Sequence, residues 1–452
     1  MEIRDPIHGL IEYNEQEEKI LNTRVLQRLR GIKQLALANL VYPGANHTRF
    51  EHSIGVMSVA DKMGRQLKLK LKQEDISLIR IASLLHDIGH GPFSHVSEQV
   101  LEKYMDEEQK KIYDIEEIHE AITIDIIKQD KELNHVISEE EKNAVIDIIK
   151  KGRLRSIRKD IISGPMDADK LDYSLRDSYY TGVKYGVFDL DKVINSLTHI
   201  EMGGDEVQVG INEEGKYAVE QLLLAIYHMN VQVYRHRGRR ITDAMTTKGI
   251  NLALKEDIEE IQKLYRYNGS KEYISHYLQF DDSALIRTIM KKGKADSKVY
   301  FTGLINRKLL KEVFRMKIDL ENIDDRVHFV KILNLSEDQC LVIEKEIAKM
   351  ITSDLNSKIT PNFVIVDKQS YENPTFKFPA AQIQADTIMV KTEEERRKTF
   401  QDVSGVFANT TVSPKEEYIS VYAPLDDLTR EERDKKKEKY KKEIKSIIIN
   451  NL

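Results

Sequence analysis

Proline placement constrains this sequence more than any other feature. Nine prolines occur: four end with Pro165, five begin with Pro361, and none lies between these two positions. Proline interrupts an α-helix because it lacks a backbone N–H and clashes with the preceding turn. Apolar residues in the proline-free stretch recur at helical spacing, as in Leu222-Leu223-x-x-Ile226 and Leu309-Leu310-x-x-Val313. The interior of the chain is therefore predicted to be mostly helical.

Short strands are predicted at three places outside this helical pattern. A Gly-Gly turn separates two strand-like runs between Ile200 and Val209, which is typical of a hairpin. After Pro361, the runs NFVIVD (362–367) and YISVY (418–422) are typical of strands. The chain then closes with a predicted helix, which opens on a capping box formed by Thr429 and Glu432. The charged run that follows indicates a solvated helix face, with tail-mediated binding of nucleic acid as the alternative.

These patterns predict a mainly α protein with a small β-hairpin and a smaller α+β C-terminal region. We place a helical core at residues 1–300. Residues 301–452 are expected to form a helical bridge followed, from about residue 350, by the α+β region. A chain of 452 residues is long enough for more than one domain.

Composition narrows the class of protein. Apolar residues make up 40% and charged residues 32%, as in an ordinary soluble protein. No apolar run reaches the roughly 18 residues of a membrane-spanning helix, and the acidic start lacks the order of a signal peptide. Cys340 is the only cysteine, which excludes an internal disulfide and a zinc ribbon. We therefore expect a cytoplasmic protein without a membrane partner, and the net charge of -5 argues against general duplex binding.

Histidines concentrate in one part of the sequence. Six of the 13 lie between positions 47 and 119: His47, His52, His86, His90, His95 and His119. Histidine is the commonest metal ligand and a frequent acid or base near neutral pH. A buried helix is predicted to end near Leu85, because Gly89, Gly91 and Pro92 follow it. His86 and Asp87 would then lie on its last turn, where both can reach one ion.

Two further ligands are needed for a complete metal site. His52 opens the preceding helical pattern, and the segment MDADKLDY offers Asp167, Asp169 and Asp172. Asp169 and Asp172 are three residues apart on one helix face, so one could bind metal while the other orients a neighbour. Imidazole beside carboxylate suits Mn, Fe, Zn, Co or Ni better than Mg, which prefers oxygen ligands. Spacing alone leaves open whether these side chains bind metal or are ordinary core and surface residues.

Taken together, the motifs resemble those of the HD-domain deoxynucleotide triphosphohydrolases, the family that includes the human sterile-alpha-motif HD protein and bacterial dGTPases. The resemblance covers about the first 300 residues and implies an HD-domain helical core. Seven stretches arrive in the family's order: DPIHG (Asp5–Gly9), LQRLRGIKQL (Leu26–Leu35), PGANHTRFEHSIGV (Pro43–Val56), LLHDIGHGPFSH (Leu84–His95), HE (His119–Glu120), DADKLDYSLRDSYYTG (Asp167–Gly182) and VYRH (Val233–His236).

This resemblance implies a divalent metal (Mn, Fe, Zn, Co or Ni, with Mg as a further ion) and a role for each matched residue. The implied metal ligands are His52, His86, Asp87 and Asp169. The implied contacts to the α-phosphate are Arg49, His95 and Lys170. His119 is the implied donor of a proton to the leaving oxygen, with His90 close to the phosphorus and Asp87 at the reacting centre.

The resemblance also implies how the sugar and a regulatory nucleotide would be recognised. The matching sugar positions are Gln34, Leu35, Tyr173, Asp177 and Tyr234, where glutamine and aspartate bind the 3′-hydroxyl and the tyrosines exclude ribose. Gln27 and Arg30 match an allosteric nucleotide pocket, whereas Asn22 stands where some relatives have a guanine-selecting aspartate. A regulatory nucleotide is therefore expected, without guanine selectivity. A homo-oligomer, dimer or tetramer, is expected by the same analogy.

One position departs from the family pattern. Relatives carry an arginine for the terminal phosphate eight residues before the tyrosine of VYRH, and here that position is Ile226. Isoleucine cannot form a hydrogen bond to phosphate. Three explanations remain open. Another cation replaces the arginine, or the substrate is not a triphosphate, or Ile226 simply packs in the core and the loss of the arginine is compensated elsewhere. The nearest candidate cations are Arg235, Arg237, Arg239 and Arg240, which could also bind a nucleotide or single-stranded nucleic acid, or form a solvated helix face.

The leading functional hypothesis is a dNTP triphosphohydrolase, releasing a deoxynucleoside and inorganic triphosphate. The first alternative is an HD phosphohydrolase that acts on another phosphate ester, such as a nucleoside monophosphate, a cyclic nucleotide or a nucleic-acid end. The second is a nucleotide-binding regulator with a decayed site. Against decay, every implied ligand and phosphate-binding residue is present in the sequence.

Overall fold

A computed structural model of the chain gives the architecture. The residues it describes are 1–105, 118–150, 155–203, 206–318, 327, 330–332, 334–355, 361–371, 387–394, 396–407, 416–425 and 428–452. Helices dominate these residues, so the predicted mainly α class is confirmed.

The contacts between residues divide the chain into two compact units that alternate along the sequence. The first unit comprises residues 1–236, 259–288 and 375–412, and the second comprises residues 237–258, 289–374 and 413–452. The predicted boundary at residue 300 falls in a helix of the second unit, Ala295–Ile305. The division into a 1–300 core and a 301–452 region stays a prediction.

The first unit is built mainly from helices. Among the residues described up to position 236, its helices are α1 (Glu15–Leu21), α2 (Arg24–Arg28), α3 (Arg49–Gln66), α4 (Gln73–Leu85), α5 (His95–Tyr104), α6 (Ile118–Gln129), α7 (Lys131–Val136), α8 (Glu139–Ile149), α9 (Ile157–Ser163), α10 (Ala168–Thr181), α11 (Leu190–Ser196) and α12 (Lys216–Met229). Short 3₁₀ turns occur at Leu29–Gly31, Ala38–Leu40 and Glu213–Gly215, and a π-helical turn, Asn230–Tyr234, follows α12.

Later helices complete the two units. They are α13 (Arg237–Lys255), α14 (Glu259–Tyr265), α15 (Lys271–Tyr277), α16 (Asp282–Lys292), α17 (Ala295–Ile305), α18 (Glu337–Leu355), α19 (Phe400–Val403) and α20 (Arg430–Asn450), with a 3₁₀ turn at Pro361–Phe363. No helix in these described ranges is long and apolar enough to cross a membrane.

Strands form three small sheets. β1 (Glu2–Asp5) pairs with β2 (Gly9–Glu12) in antiparallel orientation. In the first unit the order is β3-β4-β7-β8, with only the β4–β7 pair parallel, and in the second unit it is β5-β9-β6, entirely antiparallel. Their bounds are β3 (Leu197–Gly203), β4 (Glu206–Asn212), β5 (Lys311–Ile318), β6 (Ile365–Tyr371), β7 (Met389–Lys391), β8 (Arg397–Thr399) and β9 (Glu416–Ala423).

The predictions of individual strands and helix ends are confirmed, and one prediction of a helix is wrong. The hairpin is confirmed by the β3–β4 pairing, although Gly204 and Asp205 at its tip lie outside the described residues. The predicted strands match β6 and β9, and Thr429 with Glu432 caps α20. The helical reading of Leu309–Val313 is wrong, because Lys311–Ile318 is the strand β5. Val313 and Phe314 are both buried in the core of the second unit, opposite β9, and this pairing overrides the helical spacing.

The site is positioned by helix packing in the first unit. α3 packs against both α4 and α10. Residues 32–34 pair with residues 47–49, because the Arg49 N–H donates to the Ile32 carbonyl (3.0 Å) and the Gln34 N–H donates to the His47 carbonyl (3.1 Å). This short pairing fixes the start of α3, and with it the direction of its first side chains.

Candidate functional site

The end of α4 places His86 and Asp87 at the centre of the site. α4 ends at Leu85, and His86 is its capping residue, as the glycines and proline that follow predicted. The chain then turns sharply into α5, and both Phe93 (φ 61) and Ser94 (φ 53) adopt left-handed backbone conformations. Such conformations cost about 1–3 kcal/mol for residues other than glycine and persist only where surrounding contacts enforce them.

Helices α3 and α10 bring three further side chains to His86 and Asp87. His52 on α3 has its Nε2 2.9 Å from Asp169 Oδ1 and 3.8 Å from Asp87 Oδ2. Its other ring nitrogen, Nδ1, lies 2.7 Å from Asp172 Oδ2. Asp169 and Asp172 thus contact opposite nitrogens of one imidazole from adjacent positions on α10.

The donor atoms suit a divalent transition metal. Ligand atoms of His52, His86 and Asp87 all lie within 4.8 Å of one another. His86 Nε2 is buried and has no hydrogen-bond partner in the described part of the chain, while its Nδ1 lies 2.7 Å from the Ser83 carbonyl. With His52 Nδ1 on a carboxylate and His86 Nδ1 on a carbonyl, both histidines direct Nε2 to the site, which is the arrangement of metal-binding histidines. Two ligands about 2.1 Å from one ion lie roughly 3 Å apart at a right angle, which fits His52 and Asp169.

Charge in the site favours a cation. Burial lowers the pKa of His52, but hydrogen bonds to Asp169 and Asp172 outweigh it and raise that pKa to about 10. Burial raises the pKa of Asp87, but the positive charges of Arg49 and neighbouring histidines hold it well below its usual range. The carboxylates are therefore ionised, and they stabilise a positive charge at the position of the two Nε2 atoms.

Arg49 lies next to this group. Its Nη1 donates to Asp87 Oδ2 (2.6 Å) and its Nε donates to Ser94 Oγ (2.8 Å). Its Nη2 is buried and has no hydrogen-bond partner among the residues described. A buried guanidinium with a donor to spare is well suited to an oxyanion such as phosphate.

Three further histidines of the cluster surround one carboxylate, that of Glu98. His90 Nδ1 contacts Glu98 Oε1 in a short hydrogen bond, His95 Nδ1 lies 3.0 Å from Glu98 Oε2, and His119 Nδ1 lies 3.4 Å from the same atom. The rings of His90 and His119 stack with their centroids 4.0 Å apart. Burial, together with the charge of Arg49, lowers the pKa of His90 to about 4, so His90 is neutral. His95 is mostly exposed, on the first turn of α5.

Lys170 stands one residue after Asp169. Its Nζ donates to the Gly164 carbonyl (2.9 Å) and forms a short ion pair with Asp167. Asp167 also caps α10, because its side chain accepts from the Lys170 N–H (2.7 Å). Burial raises the pKa of Asp167 to about 6, against the lowering charge of Lys170. The segment thus uses Asp167 to start the helix and to hold the lysine.

The sugar positions predicted by resemblance also gather in one place. Tyr234 donates to Asp177 Oδ2 (2.7 Å), and its ring centroid lies 6.2 Å from that of Tyr173. Leu35 is buried in a small cluster against which Tyr234 packs. Gln34 has a buried Oε1 with no hydrogen-bond partner in the ranges described. Asp169, Tyr173 and Asp177 are four residues apart on α10, so they share one face of the helix.

Sequence reasoning missed two groups of residues. Glu98 was not singled out, although its position three residues after His95 on a helix was a usable signal. The second group is a buried ion network on which Asp172 depends: Asp172 pairs with Arg176 and His8, and Arg176 pairs in turn with Asp5. The spacing of Asp172 and Arg176, four residues apart on one helix, was a usable signal, whereas nothing in the spacing brings Asp5 and His8 to them.

The residues of the predicted regulatory pocket also lie together. Gln27 donates to the Leu21 carbonyl (2.7 Å), beside Asn22, and Arg30 Nε donates to Gln27 Oε1 (2.9 Å). The Arg30 guanidinium lies 3.6 Å over the ring centroid of Phe50. The structure therefore holds Gln27 and Arg30 in one small group next to Asn22.

The position that departs from the family pattern is part of the core. Ile226 is buried on α12, with 5% of its surface exposed. Arg237, Arg239 and Arg240 belong to the second unit, and each lies within ion-pair distance of a carboxylate there: Glu312, Asp243 and Asp367 respectively. The packing of Ile226 and the pairing of these arginines explain both sequence features without a ligand.

The fold and the site together are those of an HD-domain protein. The HD domain matches residues 49–179, which contain His52, His86, Asp87 and Asp169, and the HD associated region matches residues 188–437. The chain belongs to this family of proteins, in which an HD domain is followed by an HD associated region.

Individual relatives agree with this assignment. An uncharacterised protein of Methanocaldococcus jannaschii is 36% identical over 291 residues, which cover 64% of this chain and 58% of that protein. The human deoxynucleoside triphosphate triphosphohydrolase is 28% identical over 318 residues, covering 64% of this chain and 50% of that protein. The matches thus span only about half of these relatives. A crystal structure of a phosphohydrolase from Bacteroides thetaiotaomicron has the same fold, with a TM-score of 0.71 and 24% identity over 94% of this chain and 99% of that one.

Proposed function

We propose that the chain is a dNTP triphosphohydrolase, which cleaves a deoxynucleoside triphosphate into a deoxynucleoside and inorganic triphosphate. The observation that carries this proposal is the grouping of Tyr234 with Tyr173 and Asp177, which share a face of α10 with Asp169. Phosphate hydrolysis at the His52–His86–Asp87 cluster alone would not distinguish one phosphate ester from another. A carboxylate flanked by two tyrosines supplies what a deoxyribose requires: an acceptor for its 3′-hydroxyl and bulk where a 2′-hydroxyl would lie.

The metal ligands in this proposal are His52, His86, Asp87 and Asp169. A bound transition metal supplies Lewis acidity at a phosphate oxygen. Arg49 neutralises charge on the same α-phosphate through its buried Nη2, which has no other partner in the described residues. Lys170 and His95 add donors at the rim. Such donors stabilise the charge that develops on the oxygens as the phosphorus is attacked.

Proton transfer falls to the histidines that contact Glu98. Burial raises the pKa of Glu98, but its contacts with the surrounding histidines hold it well below its usual range, so Glu98 is ionised. An ionised carboxylate beside His119 Nδ1 orients the ring and stabilises its protonated form. His119 therefore protonates the departing 5′-oxygen. His90, which is neutral, stacks against it and limits its rotation.

A panel of substrates tests the proposal. Protein loaded with Mn, and separately with Fe, Zn, Co, Ni or Mg, is incubated with each dNTP, each dNMP and a single-stranded DNA oligonucleotide. We expect inorganic triphosphate and deoxynucleoside from the dNTPs, and less turnover of the matching ribonucleotides. Release of phosphate from monophosphates or from strand ends alone would exclude the triphosphohydrolase.

The buried Ile226 favours one alternative strongly enough to include it in that panel. The position that would bind a terminal phosphate is apolar and inaccessible. A phosphohydrolase that reads only the sugar and the α-phosphate would cleave a monophosphate as well as a triphosphate. Equal kcat/KM for dNMP and dNTP would support this second function.

We also propose that the Asn22–Gln27–Arg30 group binds a regulatory nucleotide. Arg30 is held over Phe50 and bonded to Gln27, so its guanidinium is already ordered for an anion. Adding each rNTP and dNTP to the hydrolysis assay measures the effect. Activation that is lost in Arg30→Ala, with basal turnover retained, is the expected result, and equal activation of both proteins would contradict it.

We propose further that the chain is a homo-oligomer, assembled through an exposed stripe that runs along α12 into the π-helical turn Asn230–Tyr234. Its exposed residues are spaced four and three apart, and three of them are large and apolar: Tyr217 (69% exposed), Leu224 (37%) and Val231 (39%). This is the spacing of a coiled-coil seam. A twofold axis near Leu224 would place Tyr217 beside the partner's Val231, so the stripe can pair with itself.

Light scattering coupled to size exclusion tests this assembly. Leu224→Glu is expected to lower the oligomeric state, because it places a charge in the middle of the stripe. Leu69→Glu is the control, since Leu69 is 83% exposed and lies outside α12. The same mass for both variants and the wild type would exclude this surface as the interface.

A further inference from the structure

His47 belongs to the histidine cluster of the sequence, but no role in metal or phosphate binding falls to it. Its ring is fully buried, and Nε2 lies 2.7 Å from Asp177 Oδ1. The ring stacks on that of Tyr180 with the centroids 4.6 Å apart and an angle of 18° between the planes. Because a carboxylate can only accept, Nε2 carries the proton and His47 is the donor.

The same residue also holds the other group that would contact the 3′-hydroxyl. The His47 carbonyl accepts a hydrogen bond from the Gln34 N–H at 3.1 Å. Asp177 is held from its other side by Tyr234, whose hydroxyl donates to Oδ2 at 2.7 Å. Each oxygen of Asp177 therefore has one donor and keeps a lone pair. Gln34 keeps a buried Oε1 that has no partner in the part of the chain described.

We propose that His47 is a positioning residue that sets selectivity for a 3′-hydroxyl, because its side chain and its backbone fix Asp177 and Gln34 relative to each other. The proposal rests on the proposed deoxynucleotide function and names the residue on which sugar recognition depends. His47 acts through these two partners. A 3′-hydroxyl loses its bond to Asp177 when the His47 side chain no longer holds that carboxylate at its fixed distance from Gln34, whereas a sugar without that hydroxyl loses nothing.

Three substitutions separate the hydrogen bond from the shape of the ring. In His47→Gln the amide nitrogen can reach the position of Nε2, so the bond to Asp177 is retained. His47→Asn places its amide near Nδ1 and cannot reach Asp177. His47→Phe keeps the stacked ring on Tyr180 and removes the donor. His135→Asn is the matched control, because His135 is exposed on α7.

The measurement is the ratio of kcat/KM for a dNTP to that for its 2′,3′-dideoxy counterpart. We expect the ratio to fall by about tenfold or more in His47→Asn and His47→Phe, through loss of the dNTP rate alone. His47→Gln and His135→Asn should keep the wild-type ratio. A role in folding alone would lower both rates equally, so an unchanged ratio in the Asn and Phe variants would overturn the proposal.

Binding of the same two nucleotides, measured by calorimetry, separates this proposal from the proposed function. If wild-type protein binds dNTP more tightly than ddNTP but hydrolyses neither, the triphosphohydrolase fails and the ratio of Kd values then tests His47. A Kd ratio near one in the wild type would overturn the assignment of His47, whatever the protein hydrolyses.

Discussion

Gly55 lies in the middle of α3, where the helix faces the buried ion network of α10. A Cβ at this position would stand 2.7 Å from Asp172 Cγ, and closer still to Asp172 Oδ1 and Arg176 Nη2. Gly64 is a matched control, since it is buried on the same helix and its Cβ would meet Ile76 Cγ1 at 3.2 Å. We therefore compare Gly55→Ala with Gly64→Ala.

The two substitutions share one contribution to the free energy of unfolding and differ in a second. Alanine is favoured over glycine inside a helix by about 1 kcal/mol, and this gain applies to both. At Gly55 the methyl group must displace a carboxylate and a guanidinium that are fully buried and joined by two hydrogen bonds. Breaking a buried ion pair costs about 3–5 kcal/mol, which leaves a net loss of about 2–4 kcal/mol. Gly64→Ala should lie within about 1 kcal/mol of the wild type, because a flexible isoleucine can yield.

Hydrogen exchange of the α3 amides is the appropriate assay. It reports the local free energy of opening, which a chain of two units does not yield from a single unfolding curve. A second readout is metal affinity by calorimetry. Asp172 holds His52 Nδ1, so Gly55→Ala should weaken metal binding about 10–100-fold, while Gly64→Ala leaves it unchanged.

Equal protection of the α3 amides from hydrogen exchange in the two variants would refute the predicted cost at Gly55. Equal protection would mean that the Asp172–Arg176 pair moves aside at little cost, and that it does not anchor the crossing of α3 and α10. If Gly55→Ala loses α3 protection but keeps the wild-type metal affinity, only the prediction on metal binding is refuted, since His52 would then be oriented without Asp172.

Three further predictions concern other parts of the molecule. His86→Ala should lose its metal and its turnover, measured by elemental analysis and the dNTP assay, while His135→Ala keeps both; a metal-replete, active His86→Ala would contradict the site. Ile226→Arg should lower the melting temperature of the first unit, because it places a guanidinium at a buried position of α12; an unchanged melting temperature together with a lower Kd for dNTP, but not for dNMP, would show that this position reaches the terminal phosphate. In the second unit, hydrogen bonds from Lys436, Lys439 and Tyr440 hold the pKa of Asp354 well below its usual range. A lowered pKa stabilises the fold above the unfolded value of 3.8, and this stabilisation is lost as the pH falls through the folded value. Asp354→Asn should therefore lower the melting temperature of the second unit at pH 7, with a difference that shrinks below about pH 4; a difference independent of pH would rule out the charge as its cause.

The parts of the fold that depend on neighbouring residues were predictable from the sequence. The end of α4 follows from Gly89, Gly91 and Pro92, and the start of α20 from Thr429 and Glu432, because capping and chain breaking act within a few residues. The error at Leu309–Val313 has the opposite cause. Helical spacing there competes with pairing to β9, which lies about a hundred residues later, and no local pattern reveals that partner.

In the candidate site, too, contacts set by neighbouring residues were predictable and contacts between distant segments were not. Asp169 and Asp172 were placed on one helix face from their spacing, and the structure puts both on one imidazole. Glu98 and His47 act through contacts with residues from other helices, and their roles depend on how those helices cross. Residue spacing does not describe such crossings, which is why the hydrogen-bond partners of the site were harder to predict than its ligands.

The alternation of the two units along the chain has a consequence for synthesis. The sheet of the first unit needs β7 and β8, and Glu220 on α12 accepts a hydrogen bond from Ser404, far toward the C-terminus. During synthesis the four proposed metal ligands are made within the first 170 residues, but the last strands of their own unit follow more than 200 residues later. These residues are therefore part of an incomplete unit until β8 is made, and a fragment that stops before β8 would carry all four of them without the full unit around them.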